Sequence, residues 1–493
     1  MAAIEYLIVG AYIAVLLLLM VYCIHRYHIL YLYFRHKNAP PAEPLPPAHL
    51  PRVTIQLPVY NELYVVERLM RAAAALEYPQ QLLEIQVLDD STDETSFFAR
   101  NLTDELLGSG HDITYLHRGQ RTGFKAGALE AGLKLAKGDL IAIFDADFVP
   151  QPDFLRKTIP YFDDAMTGMV QTRWGHLNRS YNLLTRLQAT LLDAHFMLEH
   201  TARNRSGRFF NFNGTAGIWR KSCIADAGGW QHDTLTEDLD LSYRAQLKGW
   251  KFIFLPDTVT PAEIPVDMNS FKSQQHRWSK GGMETACKLL PDILCSSQPL
   301  RVKIESFFHL TGNFNYLLVV ALALLTYPAL VIRIERGWTH LAACDLMCFI
   351  AAGLPITLYY CIASREVEKK WLSTFACLPL LMGLGIGLCI NNGRGVFEAL
   401  TGRKSSFIRT PKYKIENRQD TWRHKKYRGM AERLQVCLEL GLGIYFIGAI
   451  LFAVNAGVYA SVPFLSLFCL GFLYVGSLSL YQIYAGGKTV EQS

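Results

Sequence analysis

Two carboxylates one residue apart, Asp145 and Asp147, follow the apolar stretch Leu140-Ile141-Ala142-Ile143-Phe144. At the end of a strand, where the chain turns, both can reach one hard divalent cation that also binds diphosphate oxygens. Oxygen ligands without histidine or cysteine beside them select Mg²⁺ or Mn²⁺. A cation on a diphosphate suits the displacement of a nucleoside diphosphate from a sugar by an acceptor hydroxyl. That chemistry needs charge neutralisation on the leaving group, a base for the hydroxyl proton, and a pocket holding both partners in line.

Other residues supply the remaining parts, each with a plainer reading beside it. Tyr60 and Glu62 follow the strand-like Arg52 to Pro58, and Asp89-Asp90-Ser91-Thr92-Asp93 follows Leu83 to Leu88. Carboxylates at strand ends accept hydrogen bonds from a base or ribose; the same run also suits a solvated turn and helix cap. Arg118, Arg121 and Lys125 lie among glycines between strands, as a phosphate-facing loop or as an exposed basic one. Thr236-Glu237-Asp238 opens a helix. It reads as an N-terminal cap with acidic residues against the helix dipole, and also as a firmly placed base, Asp238. In Gln274-Gln275-His276-Arg277-Trp278, Arg277 can pair with a diphosphate and Trp278 can stack on a sugar ring. The alternative is a membrane-surface anchor at the head of an interfacial helix.

The elements that must hold these residues alternate. Strand patterns at 52–58, 83–88 and 139–144 are separated by helical ones at 62–76 and in an Ala/Gly/Leu-rich stretch, which predicts a mostly parallel sheet with helices on both faces. Sites in such sheets gather at the strands' carboxyl ends. Leu184, Leu187, Leu191 and Leu198 recur at helical spacing, and 278–290 forms a second such stretch, both expected as interfacial helices beneath the catalytic domain rather than core helices.

Apolar runs at 4–24, 306–333, 339–363, 372–390, 437–457 and 462–484 each approach or exceed the roughly 20 residues that cross a bilayer. With 493 residues, 51% hydrophobic, this is no ordinary soluble chain. The first run lacks a preceding basic region and a cleavage site, so it reads as an anchor rather than a signal peptide. Arg26, Arg35 and Lys37 follow it, placing the next domain in the cytoplasm, where nucleotide-sugars are made. Three crossings between 306 and 390 would carry the basic segment Arg403 to Arg428 outside; the third run, the shortest, is therefore expected not to span. The expected layout is an anchor at 1–37, a Pro-rich spacer at 38–51, a catalytic domain at 52–300, membrane and interfacial helices at 301–402, a basic cytoplasmic loop at 403–432, and a carboxyl-terminal helix pair at 433–493. The net charge of +6 gathers beside the membrane runs, so an acidic lipid surface is the expected partner and nucleic acid is not. The eleven cysteines are scattered, without C-x-x-C spacing, as small core residues.

Taken in order, Asp90, Asp145-Ala146-Asp147, Thr236-Glu237-Asp238 and Gln274-Gln275-His276-Arg277-Trp278 resemble the D, D-x-D, T/E-D, Q-x-x-R-W pattern of family 2 processive glycosyltransferases, across roughly residues 50 to 430. Arg121 to Leu129 and Phe210 to Arg220 look like the cellulose-synthase-like A branch of mannan and glucomannan synthases and its bacterial relatives. The resemblance implies a GT-A (Rossmann-like) α/β domain inserted in an α-helical transmembrane bundle, and inversion at the anomeric carbon. It implies that Tyr60, Glu62, Asp90, Lys125, Asp145, Gln274 and Arg277 hold the donor, Asp145 and Asp147 the metal, and Trp278 and Glu237 the acceptor, with Asp238 the base. Phe407 to Lys412 resembles the F-x-V-T-P gating loop of cellulose synthases, with Arg409 in the valine's place. No PilZ domain, and no cyclic-di-GMP control through one, is expected on this chain. A processive β-glycan synthase, a transferase glycosylating a membrane lipid such as ceramide or diacylglycerol, and a non-catalytic scaffold are the functions to separate. The donor, GDP-mannose or UDP-glucose, is not written in the motifs.

Overall fold

A computed structural model describes residues 2–41, 44, 49–338, 340–405, 408–427, 429 and 432–487. Among the described residues seven strands build one sheet: β1 (Val53–Val59), β2 (Leu83–Asp89), β3 (Asp112–His117), β4 (Leu140–Ile143), β5 (Thr167–His176), β6 (Gly217–Arg220) and β7 (Lys251–Ala262). Their order across the sheet is β3-β2-β1-β4-β6-β5-β7. All run in one direction except β6, which is antiparallel to β4 and β5. This reversal departs from a simple alternation of strands and helices. A strand of four residues, three of them buried, shows no period, and its direction is set by pairing with distant segments.

Helices α1 (Ala2–His36), α2 (Val66–Ala74), α3 (Thr95–Gly108), α4 (Phe124–Leu135), α5 (Phe154–Thr158), α6 (Leu183–Ala194), α7 (Thr201–Arg205), α8 (Lys221–Asp226) and α9 (Glu237–Leu247) lie before or between the strands. One core cluster joins Ile55, Leu57 and Val87 to Leu69 and Leu102 of α2 and α3; the other joins Ile141 and Ile143 to Leu129 of α4 and Leu241 of α9. The sheet is thus covered on both faces. Between β1 and β2, Thr54 donates to Glu84 at 2.6 Å and Gln56 to Gln86 at 3.1 Å, which satisfies buried polar groups inside the sheet. Because β1 sits between β2 and β4, the chain leaves the ends of these strands toward opposite sides of one crevice.

After β7 the chain is helical: α10 (Met268–Cys295), α11 (Leu300–Thr311), α12 (Asn315–Glu335), α13 (Leu341–Val367), α14 (Trp371–Gly387), α15 (Cys389–Leu400), α16 (Arg433–Asn455) and α17 (Val462–Gly487). Among the described residues six helical stretches are long and apolar enough to cross a membrane: Ala3–His36, Leu300–Glu335, Asp345–Val367, Trp371–Leu400, Arg433–Asn455 and Tyr459–Tyr484. Outward apolar side chains such as Leu17, Leu324, Ile350 and Ile444 form their uncovered surface. The run expected as one segment at 306–333 is broken by a short 3-10 turn into α11 and α12.

The two halves share a core. Leu184 and Leu187 of α6 and Phe271 of α10 pack with Ile29 and Leu30 of α1, Tyr359 of α13, Leu381 of α14 and Val475 of α17. The stretch 278–290 is the later part of α10, which already begins at Met268, with Asp267 accepting from Ser270 N at 2.8 Å as its cap. Gln274 to Trp278 therefore lie inside a long helix and not at the head of one. Asn269 and Ser270, weak helix formers, mask this start in the sequence.

Candidate active site

Every residue that the resemblance assigns to donor, metal, base or acceptor lines one cavity of about 180 Å³: Tyr60, Glu62, Asp90, Lys125, Asp145, Asp147, Glu237, Asp238, Gln274, Arg277 and Trp278. Strand ends deliver them from one side. Tyr60 and Glu62 follow β1, Asp90 follows β2, and Asp145 and Asp147 follow β4; α9 and α10 close the other side.

The run after β2 divides its labour by residue. Asp89 is fully buried and accepts from Ser91 N at 3.0 Å and Tyr115 at 2.6 Å, so it shapes the turn. Asp93 accepts from Thr95 N at 3.0 Å at the start of α3. Only Asp90 reaches the cavity, gripped by Arg118 through Nε at 2.7 Å and Nη2 at 2.5 Å. Arg118 accordingly positions Asp90 rather than facing a phosphate. The Arg121 guanidinium lies 3.3 Å from the Tyr60 ring centroid and also lines the cavity.

The paired aspartates each hold an ammonium group. Lys125 meets Asp145 at 2.5 Å and donates to Gly214 O at 2.8 Å, while Lys412 meets Asp147 at 2.5 Å. Burial and the charge of Asp147 raise Asp145, with Lys125 opposing. Burial works against the Lys125 ammonium, but Asp145 and Glu237 outweigh it and raise its proton affinity. Among the described residues no group of three or more His, Cys, Asp or Glu gathers to hold a metal. Two carboxylates beside a cavity do fit a cation that completes its oxygen shell from diphosphate and water, and the two ammonium groups show that positive charge is stabilised there.

Asp238 lies in the first turn of α9, its Oδ1 accepting from Leu239 N at 2.8 Å. Burial and the negative charge of Glu237 push it well above the ordinary carboxylate range, with Lys125 opposing. Thr236 occupies the N-cap position of α9 without a side-chain cap bond; its hydroxyl meets Thr285 of α10 at 3.2 Å and ties α9 to α10. Gly214, at φ +81°, passes so close that a Cβ would sit 3.0 Å from Asp238 Oδ2 and 3.3 Å from Lys125 Nζ.

The segment resembling a gating loop lies across the site. Its Phe407 is outside the described residues. Ile408 O accepts from Arg277 at 3.1 Å, Arg409 pairs with Glu62 at 3.2 Å, and Lys412 also donates to Glu263 O at 3.2 Å. Burial pushes Glu62 up to about 8 against the pull of Arg409. A second cavity, of about 390 Å³, shares Leu235 and Arg277 with the first and continues between α10, α15 and α16, past Asn269, Lys272 and Gln435.

Trp174, His176, Asn213 and Glu263 also line the first cavity without having been singled out. Trp174 and His176 end β5, and Glu263 directly follows β7. The strand-end rule would have found these three had β5 and β7 been recognised; Asn213 is in a loop and carries no such signal.

A model of a glycosyltransferase-like family 2 domain matches residues 51–281. The glucomannan 4-beta-mannosyltransferase 1 of Oryza sativa subsp. japonica is 42% identical over 269 residues, 54% of this chain, and the match spans about half, 51%, of that relative. The probable glucomannan 4-beta-mannosyltransferase 9 of the same plant is 34% identical over 454 residues, covering 87% of this chain and 83% of the relative. Glucomannan 4-beta-mannosyltransferase 7 of Arabidopsis thaliana is 32% identical over 454 residues, covering 87% and 78%. Among solved structures, the mannosyltransferase PcManGT from Pyrobaculum calidifontis in complex with GDP-Man and Mn2+ is similar at TM-score 0.53 and 20% identity, over 79% of this chain and 99% of that one, a likeness of fold.

Proposed function

The chain belongs to the family 2 glycosyltransferases, and from that premise we propose that it moves mannose from GDP-mannose onto a growing β-linked glycan at the cytoplasmic face of a membrane. One observation carries the reading: a raised carboxylate, a pair of cation-seeking aspartates and two basic side chains, Lys125 and Arg277, share one cavity. The relatives' names and the GDP-Man in the similar fold support this donor over UDP-glucose.

In this reading Asp238 takes the proton of the acceptor hydroxyl as its oxygen bonds to the anomeric carbon. The bond from that carbon to the diphosphate oxygen breaks on the opposite face, so the configuration inverts and the electron pair leaves with the diphosphate. Lys125 and Arg277 face the charge that develops there, and Gln274 lies one helical turn before Arg277. Asp90, held by Arg118, accepts from the nucleoside, with Tyr60 and Glu62 beside it. Trp278 offers the acceptor an apolar face and Glu237 an acceptor for its hydroxyls. Asp145 and Asp147 would hold Mn²⁺ or Mg²⁺, which when bound supplies Lewis-acid neutralisation of the diphosphate.

The membrane arrangement follows the same reading. Segment 408–413 packs against Glu62 and Asp147, so it shares the catalytic domain's side. Helices α14 and α15 then do not cross together: Ser373 meets Arg186 of α6, and Asn391 donates to Lys272 O of α10 at 2.8 Å, so both flanks stay with the soluble half. The domain boundaries expected from the sequence are part of the same proposal, as is a glycan leaving through the second cavity.

The test is purified protein in lipid nanodiscs with radiolabelled GDP-mannose or UDP-glucose and Mn²⁺, followed by separation of polymer from glycolipid. Long chains sensitive to a β-mannanase, made from GDP-mannose, are the expected result. A single short species extracting into organic solvent would replace the glycan acceptor with a lipid one, and no turnover of either donor would sink the transferase reading.

A further inference from the structure

Asn213 lines the cavity directly before Gly214, the residue that approaches Asp238, and its amide is gripped from two sides. Its Nδ2 donates to His195 Nε2 at 3.1 Å, and its Oδ1 accepts from His200 Nε2 at 2.5 Å. The orientation of the amide sets the tautomer of each histidine. An amide nitrogen only donates, so His195 Nε2 accepts; the His195 proton is then on Nδ1, which donates to Glu199 Oε2 at 3.0 Å. An amide oxygen only accepts, so His200 carries its proton on Nε2.

The two histidines are five residues apart, which in an α-helix would point them about 140° from each other. Here His195–His200 form a π-helical turn between α6 and α7, and their ring centroids come to 4.4 Å. The inserted residue is what lets both imidazoles reach one amide, and such turns recur at functional sites. Glu199 is in turn held by Arg203 Nη1 at 3.2 Å and by the hydroxyl of Tyr359 in α13 at 2.8 Å. Arg203, buried, also donates to Glu305 of α11 at 3.0 Å, and Glu305 meets His25 of α1 at 3.0 Å. The amide is therefore anchored to three helices of the membrane half.

So much fixed structure behind one side chain needs a reason at the cavity. The second Nδ2–H of Asn213 has no protein partner among the described residues, and Asn213 lines the cavity. Its neighbour Gly214 packs against Asp238 Oδ2. We propose that His195 and His200 are positioning residues that hold the Asn213 amide so that its remaining N–H meets an oxygen of the acceptor sugar whose hydroxyl faces Asp238. This rests on the transferase reading above.

The experiment uses the full-length enzyme in nanodiscs, with GDP-mannose, Mn²⁺ and a short β-linked hexo-oligosaccharide, and measures transfer to sugar and donor hydrolysis by water in the same reaction. Water needs no oriented acceptor, so His195→Leu and Asn213→Ala should each lower the transfer-to-hydrolysis ratio about tenfold, the effect of one lost hydrogen bond. In His195→Leu, at a position that does not line the cavity, the hydrolysis rate and the donor KM should stay within about twofold. His195→Gln, whose side-chain oxygen restores the acceptor for Asn213, should recover most of the ratio, and the double variant should be no worse than either single one. Equal loss of hydrolysis and transfer in His195→Leu without recovery in His195→Gln, or an unchanged ratio in Asn213→Ala, overturns the inference alone. An unmodified enzyme that turns over no donor overturns the transferase reading and this inference with it.

Discussion

Burial and the Glu237 charge hold the Asp238 proton more tightly than water would, and Lys125 only partly offsets them. A base works deprotonated, so raising its pKa moves the loss of activity to higher pH: kcat/KM should fall on the acid side above the usual carboxylate value of about 4. Glu237→Gln removes the like charge and should move that limb to lower pH, read from initial rates of transfer across buffered pH. A limb that stays in place would mean that another group titrates. Asp238→Asn should cut transfer by about 10²–10⁴-fold with donor KM little changed, because only the proton acceptor is lost. At this scale the sequence was informative about residue type and silent about division of labour. Asp89, Asp90 and Asp93 are indistinguishable in a string, and only the Arg118 grip and the path to the cavity separate Asp90 from its neighbours.

Helices α9 and α10 bring the base and the Gln274–Trp278 motif together, and they touch backbone to side chain at Gly281. A Cβ there would lie 2.6 Å from Thr236 Cγ2 and 2.8 Å from Thr236 N, and backbone does not yield as a flexible side chain would. Gly281→Ala should therefore lift α10 from the start of α9, costing about 1–3 kcal/mol of stability. It should also lower transfer on the order of 10²-fold though it adds nothing to the cavity. Thermal unfolding and steady-state rates on the same preparation check both; wild-type turnover would show that the two helices need not stay in register. The sequence announced α9 by its acidic first turn but placed the Gln274–Trp278 motif at a helix head. Propensity near Asn269 and Ser270 is weak, and the bonds that extend the helix to Met268 come from the Asp267 cap.

Across the whole molecule, the decisive question is which side of the membrane each connection occupies. On a background with the native cysteines replaced, Lys404→Cys and Asp257→Cys should react with an impermeant thiol reagent from the same side of sealed vesicles, and Gly457→Cys, between α16 and α17, from the other. Labelling of Lys404→Cys together with Gly457→Cys would mean that α14 and α15 do cross, and the arrangement proposed above fails. By itself the sequence determined the apolar runs long enough to span a membrane, the alternation of strands and helices, the family resemblance and the residue types gathered at the cavity, because apolar runs, periodicity and short motifs are local properties. It did not determine the antiparallel β6, the ion pairs of Arg409 and Lys412 with Glu62 and Asp147, or the grip of His195 and His200 on Asn213. Those depend on side chains up to hundreds of residues apart arriving at one place. Only the folded chain, by burying them together, decides which charges meet and which protons are held.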